Sequence, residues 1–168
     1  QITEVPLFEI DSDWPTIPND WVLGLVASVS VDDRDHVWVL HRPGTLDADE
    51  ASMAAPPLLE FDPDGNFVQG WGGPHPAYHW PDSEHGVFVD HNGYVWVGGN
   101  GPDDNQVLKF TMRGDFVMQI GRSGENQGNQ DTENLGRPAD VWVHPPTNEL
   151  FVADGYGNRR VIVYDAAT

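Results

Sequence analysis

VASVSVDDRDHVWVLHRPG (26–44), EHGVFVDHNGYVWVGGNG (84–101) and PADVWVHPPTNELFVADGYG (138–157) superimpose on one another, and their shared pattern decides the fold. Each reads as a short alternating strand, a polar turn and a second strand rich in Val and aromatic residues. A second pair of strands follows: PPLLEFDPDGNFVQGWGG (56–73) matches NQVLKFTMRGDFVMQIGRSG (105–124), and RRVIVYDAAT (159–168) begins a third copy. The repeating unit is therefore four antiparallel strands. Gly65 in DPDG and Gly114 in MRGD suit the positive φ of a tight hairpin. DPDG reads as a turn, because the downstream ligands of a calcium loop are missing.

Composition agrees with an all-β class. Hydrophobic residues make up 39% of the 168, with 7 Trp and 7 Phe, enough to bury a core, while Gly 18 and Pro 14 are high for a helical protein. A repeat spacing of roughly 50 to 58 residues exceeds a minimal unit because of the inserts TLDADEASMAAP, GGPHPAYHWPDS and GENQGNQDTENLGR. Four-stranded repeats of this kind build a β-propeller, which closes with about 4 to 8 blades. The blades fall at 22–73, 84–124 and 136–168, about three of an expected ring of six. Residues 1–21 are expected to supply a ring-closing strand. Three blades alone leave two faces bare, so remaining blades from the same precursor or a second chain are the expected partners.

With 8 Lys+Arg against 27 Asp+Glu, the formal charge of −19 repels nucleic acid. No apolar run approaches the ~20 residues of a membrane span. Cys 0 excludes disulfides and thiolate metal sites. A start at Gln1 fits a processed precursor, and the expected location is secreted or periplasmic.

The stretch RPADVWVHPPTNELFVADGYGNRRVIVYD resembles the NHL repeat, and nearly the whole chain is similar to the peptidyl-α-hydroxyglycine α-amidating lyases. That resemblance implies a six-bladed propeller with zinc and calcium in its channel, splitting a peptidyl hydroxyglycine into a peptide amide and glyoxylate. It places an active-site arginine on Arg42, a zinc-binding histidine on His85 and an active-site tyrosine on Tyr156. The carbonyls that hold calcium fall on Val29 and Val87. Two further zinc histidines belong to later blades. The disulfide cysteine of the animal enzymes falls on Gly157, so that crosslink is lost.

These residue types suit the chemistry. Neutral imidazole ligates zinc, a guanidinium fork pairs with a carboxylate, and a phenol beside a cation can carry a proton. Each also has a purely structural reading: a satisfied histidine, an arginine paired with a surface carboxylate, a tyrosine sealing a blade junction. His75, His79 and Trp80 are weaker metal candidates because prolines exclude a helix there. Asp103, Asp104 and Asn105 read as a solvated turn rather than a loose calcium site. Asp154, Asn158 and Arg159 are expected to bond within the repeat's own turn. No GxSxG, Walker A or HExxH motif occurs. Two alternatives to a metal-dependent lyase stay open: a non-catalytic scaffold binding a partner through its acidic loops, and a calcium-dependent lactonase built around Val29, Val87 and Asp140.

Overall fold

A computed structural model describes residues 5–167. Three antiparallel sheets follow one another along the chain. The first joins β1 (Leu25–Val31), β2 (Val37–Arg42), β3 (Leu58–Phe61) and β4 (Phe67–Trp71) in sequence order. The second joins β5 (Glu84–Val89), β6 (Tyr94–Gly99), β7 (Gln106–Thr111) and β8 (Phe116–Gly121) in the same way. The third holds β9 (Asp140–His144), β10 (Glu149–Asp154) and β11 (Arg160–Asp165). These are blades of a β-propeller, about three in number.

One device recurs in the turn between the first two strands. In the first blade, Asp32 Oδ1 accepts the Arg34 and His36 amides at 2.9 and 3.1 Å, and Trp38 Nε1 donates to Asp32 Oδ2 at 3.1 Å. The second blade repeats it, with Asp90 Oδ1 accepting from Asn92 and Tyr94, and Trp96 Nε1 donating to Oδ2 at 2.8 Å. An Asp six residues before a core Trp thus closes the turn and satisfies the indole N–H where no water reaches it. The third blade places Phe151 opposite Trp142 and turns instead through Asn148 at a φ of +57°, with His144 Nδ1 and Thr147 Oγ1 2.9 Å apart.

Packing between blades is apolar. Trp38, Leu40 and Leu58 of the first blade meet Val87, Val97, Leu108 and Phe110 of the second, while Trp96 and Val107 meet Val141, Leu150 and Val152 of the third. Gly114, at a φ of +84°, leaves room for Trp71: a Cβ there would lie 2.8 Å from the ring. The inner strands are tied directly, because Ser28 and Ser30 on β1 accept the Val87 and Val89 amides of β5 at 3.2 and 3.0 Å.

The two outer faces of the arc differ. The outer part of the first blade's free face is covered, with Val39, Leu59 and Phe61 buried under Trp14, Ile17, Trp21 and Leu23, while Val29 and Val31 on its inner strand stay 60 and 57% exposed. The third blade's face is open more widely, with Trp142, Val161 and Val163 at 46, 65 and 44% exposure. Residues 5–21, where a ring-closing strand is expected, form no strand within this chain; Val5, Leu7, Phe8 and Ile10 face solvent, and 1–4 lie outside the described residues. No helix among the described residues is long and apolar enough to cross a membrane.

Candidate functional site

The ends of β2, β5, β6 and β10 converge at one end of the arc. β2 stops at Arg42 because Pro43 and Gly44 open a single 3-10 turn, and Thr45 Oγ1 then donates to the Arg42 carbonyl at 2.7 Å. Gly24 crosses that carbonyl so closely that a Cβ would meet it at 1.9 Å. The arginine side chain is thereby sent across to the second blade. Its Nε donates to the Glu84 carbonyl at 2.6 Å and its Nη2 to Asn100 Oδ1 at 3.3 Å. No carboxylate among the described residues pairs with it, contrary to the structural reading of this arginine.

His85 follows Glu84 on β5. Its Nδ1 lies 2.9 Å from the Ala139 carbonyl and its Nε2 2.9 Å from the Tyr156 hydroxyl. A carbonyl can only accept, so Nδ1 carries the proton, and the neutral ring accepts the tyrosine proton at Nε2. A backbone carbonyl fixes the tautomer of a histidine ligand in the same way, and here it turns Nε2 towards Tyr156. Gly86 lets β9 approach, because a Cβ there would sit 2.9 Å from the same Ala139 carbonyl. Tyr156, half exposed, stands edge-on to His85 with ring centroids 5.0 Å apart.

Asp154 holds the tyrosine loop. Fully buried, it accepts from Gly136 N at 2.6 Å, Asn158 Nδ2 at 2.8 Å and Arg160 Nε at 2.8 Å. Asn158 therefore works within the turn as expected, but its cationic partner is Arg160; Arg159 is exposed and contributes only its amide, to Asn129. The Gly157 amide donates to the Gly136 carbonyl at 2.6 Å, closing the loop where the resemblance would place a disulfide.

The equivalent joint in the second blade corrects another expectation. Asp104 is buried rather than solvated, and its carboxylate accepts the Asp82, Ser83 and Gly101 amides at 2.7 to 3.0 Å. Gly99 leaves the space it fills, since a Cβ would lie 2.4 Å from Asp104 Oδ2. In the first blade the acceptor is His41, whose Nδ1 takes the Gly24 amide at 3.0 Å. His75 stacks on Tyr78 at 5.2 Å, and Asp62 of DPDG is spent on Asn66.

Arg137 is the residue that sequence reasoning missed. It sits at a φ of +61°, its carbonyl accepts the Tyr156 amide at 3.3 Å, its Nε donates to the Asn100 carbonyl at 2.9 Å, and its guanidinium carbon lies 5.9 Å from the Tyr156 ring centroid. Neither its sequence neighbourhood nor its distance from Arg42 along the chain signals this. Arg42 and Arg137 thus rest on one residue, Asn100. Beneath them Glu84 is buried, which pushes its carboxyl above the ordinary range; the Trp80 indole bond at 2.8 Å and Arg42 oppose this, and Asp104 adds to it.

As a zinc ligand, His85 fits in tautomer and orientation, but no second histidine or carboxylate among the described residues joins it in a metal-like cluster. Val29 and Val87 lie on the adjacent inner strands β1 and β5. The one group with metal-like spacing among the described residues, Asp32, His36 and Glu60 within 4.8 Å, lies where the β1–β2 turn meets β3. There Arg34 Nη2 already bridges Asp32 and Glu60 at 2.6 and 2.7 Å.

No family model matches the chain. It is 27% identical over 167 residues to human NHL repeat-containing protein 3, covering 95% of this chain and 44% of that protein. It is 26% identical over 180 residues to peptidyl-alpha-hydroxyglycine alpha-amidating lyase 2 of Drosophila melanogaster, covering 97% of this chain and 41% of that one. The chain therefore spans less than half the length of these relatives. A structure of the nidogen/laminin complex superimposes with a TM-score of 0.58 at 15% identity, over 90% of this chain and 48% of that one. The chain forms about three blades of a β-propeller, and its sequence resembles those of NHL repeat-containing proteins and of the peptidyl-α-hydroxyglycine α-amidating lyases.

Proposed function

We propose that this chain supplies one side of the active site of a metal-dependent lyase that splits a hydroxyglycine-type amide into the amide and glyoxylate. One observation carries the reading: Arg42, His85 and Tyr156, drawn from three blades, meet through Glu84 and a 2.9 Å imidazole–phenol bond. The likeness to a hydroxyglycine amidating lyase names the substrate class.

In this reaction the carbinol C–N bond breaks, the carbinol carbon becomes the aldehyde of glyoxylate, and the hydroxyl proton ends on the amide nitrogen. Arg42 faces the substrate carboxylate with a fork that no protein carboxylate has claimed. With zinc on His85 Nε2, Tyr156 would release its own proton to solvent and, as the phenolate, take the hydroxyl proton and return it to the leaving nitrogen. His85 is the residue here that would hold zinc, and Val29 and Val87 would offer carbonyls to calcium. A bound zinc supplies Lewis acidity to the substrate hydroxyl oxygen. The remaining zinc ligands, the closure of a ring of about six blades and a secreted or periplasmic location belong to the same proposal.

The test is release of glyoxylate from a hydroxyglycine peptide by the native protein, with metal analysis alongside. Turnover lost on Tyr156→Phe and on His85→Ala supports the reading; absence of both turnover and any transition metal sinks it. A second reading, a non-catalytic scaffold, is favoured by the likeness to NHL repeat-containing protein 3 and by the two internal bonds of His85. It expects His85→Ala to leave partner capture intact and removal of residues 124–136 to weaken it.

A further inference from the structure

We propose that Arg137 is a second carboxylate-binding residue, sharing with Arg42 the recognition of the substrate's carboxylate; this rests on the lyase reading above.

In a chain carrying −19, three of the eight Lys and Arg residues pair with carboxylates among the described residues. Arg34 and Arg160 do so with short, partly buried bonds, and Arg122 more loosely with Glu125. Lys109 and the exposed Arg113 and Arg159 do not, and neither do the half-buried Arg42 and Arg137. These last two are instead steered by neutral oxygens. Arg42 is held by the Glu84 carbonyl and Asn100 Oδ1, and Arg137 by the Asn100 carbonyl. Such bonds fix a guanidinium without neutralising it. They leave Arg42 Nη1 and both Arg137 Nη groups with no bond to a described residue.

Placement gives the two cations a common target. Asn100 lies between them at the end of β6, and Arg137 flanks the Tyr156 ring, whose hydroxyl meets His85. A carboxylate bound there sits beside the imidazole–phenol pair, as a hydroxyglycine carboxylate must when its own carbinol carbon reacts. The backbone of Arg137 is held at a φ of +61°, a conformation costly for a non-glycine residue and concentrated at functional sites. A planar fork recognises two oxygens at once, so two forks suit a small anion better than one.

The closing experiment compares a hydroxyglycine peptide with its methyl ester, in which the carboxylate is masked, on the native protein. Arg137→Gln is expected to raise KM for the acid about 10- to 100-fold and leave the ester within about twofold, with kcat little changed for both. Arg137→Lys should recover part of the loss. Equal effects on acid and ester, or none on either, overturn the proposal and leave Arg137 a structural residue. If the native protein turns over neither compound, the lyase reading falls by itself. Calorimetric binding of glyoxylate then decides the clamp: weaker binding to Arg137→Gln than to the native protein supports it, and equal or absent binding overturns it.

Discussion

Replacing Asp154 with Ala removes one buried carboxylate that serves three donors, so its cost can be worked from the contacts. The Gly136 amide and the Asn158 side-chain amide lose their acceptor at a buried position, each costing about 1–3 kcal/mol. Arg160 keeps the carbonyls of Asn129, Asp131 and Asn134, so it loses less than the roughly 3–5 kcal/mol of a broken buried pair. The two amides alone come to about 4 kcal/mol, a lower bound on the total. At about 2–4 °C per kcal/mol for a chain of this size, the melting temperature should fall by roughly 8–16 °C or more. Asp154→Asn keeps the shape but turns an NH2 towards the Asn158 amide and Arg160, and should cost nearly as much. Thermal and urea unfolding of the native protein and both variants measure this. A loss below about 1 kcal/mol for the alanine, or a silent asparagine, would refute the view that this carboxylate holds the Tyr156 loop.

Burial raises the Glu84 pKa, so the folded chain holds that proton more tightly and stability falls as pH rises from the unfolded carboxylate value through the folded one. Glu84→Gln should flatten that slope and raise the melting temperature at pH 7; a difference independent of pH would count against it. His41 behaves oppositely, because burial lowers its pKa and its Nδ1 must stay bare to accept the Gly24 amide. Stability should therefore drop as pH falls from about 6.5 through its lower folded value, and His41→Gln should remove that part of the melting profile; an unchanged profile refutes it. Ser30→Ala should cost about 1 kcal/mol in urea unfolding, because it orphans the Val89 amide between inner strands. Trp142→Glu should change the melting temperature by less than about 2 °C, the bare face being solvated already; a larger loss would mean the ring packs within this chain.

The blades were readable because alternating strands and polar turns repeat along the chain, and the turn chemistry that fixes them emerges only in the structure. Asp32 and Asp90 stand six residues before Trp38 and Trp96, and the alternating Val positions between them point in and out by the period of two. Arg42, His85 and Tyr156 could be named from the resemblance alone, since nothing in their spacing brings residues 42, 85 and 156 together. Asp104 escaped because its partners are backbone amides, which have no signature in a sequence, and a run of acids around a proline looks like a solvated turn. Arg160 was passed over for Arg159 because their difference is which face of β11 each occupies, and that depends on where the strand begins. Arg137 was hidden for a related reason: its position follows from a left-handed backbone at a non-glycine residue, which local preference argues against.

The covering of the first blade by residues 14–23 gives the arc a direction. A sheet approaching the Trp142 side finds apolar surface ready to be buried, whereas one approaching the other side meets Val29 and Val31 on the inner strand and must strip Trp14, Ile17 and Trp21 to reach the outer strands. Head-to-tail stacking of copies would need both sides at full width, and the aromatic cover narrows the open part of the first blade's side to its inner strand.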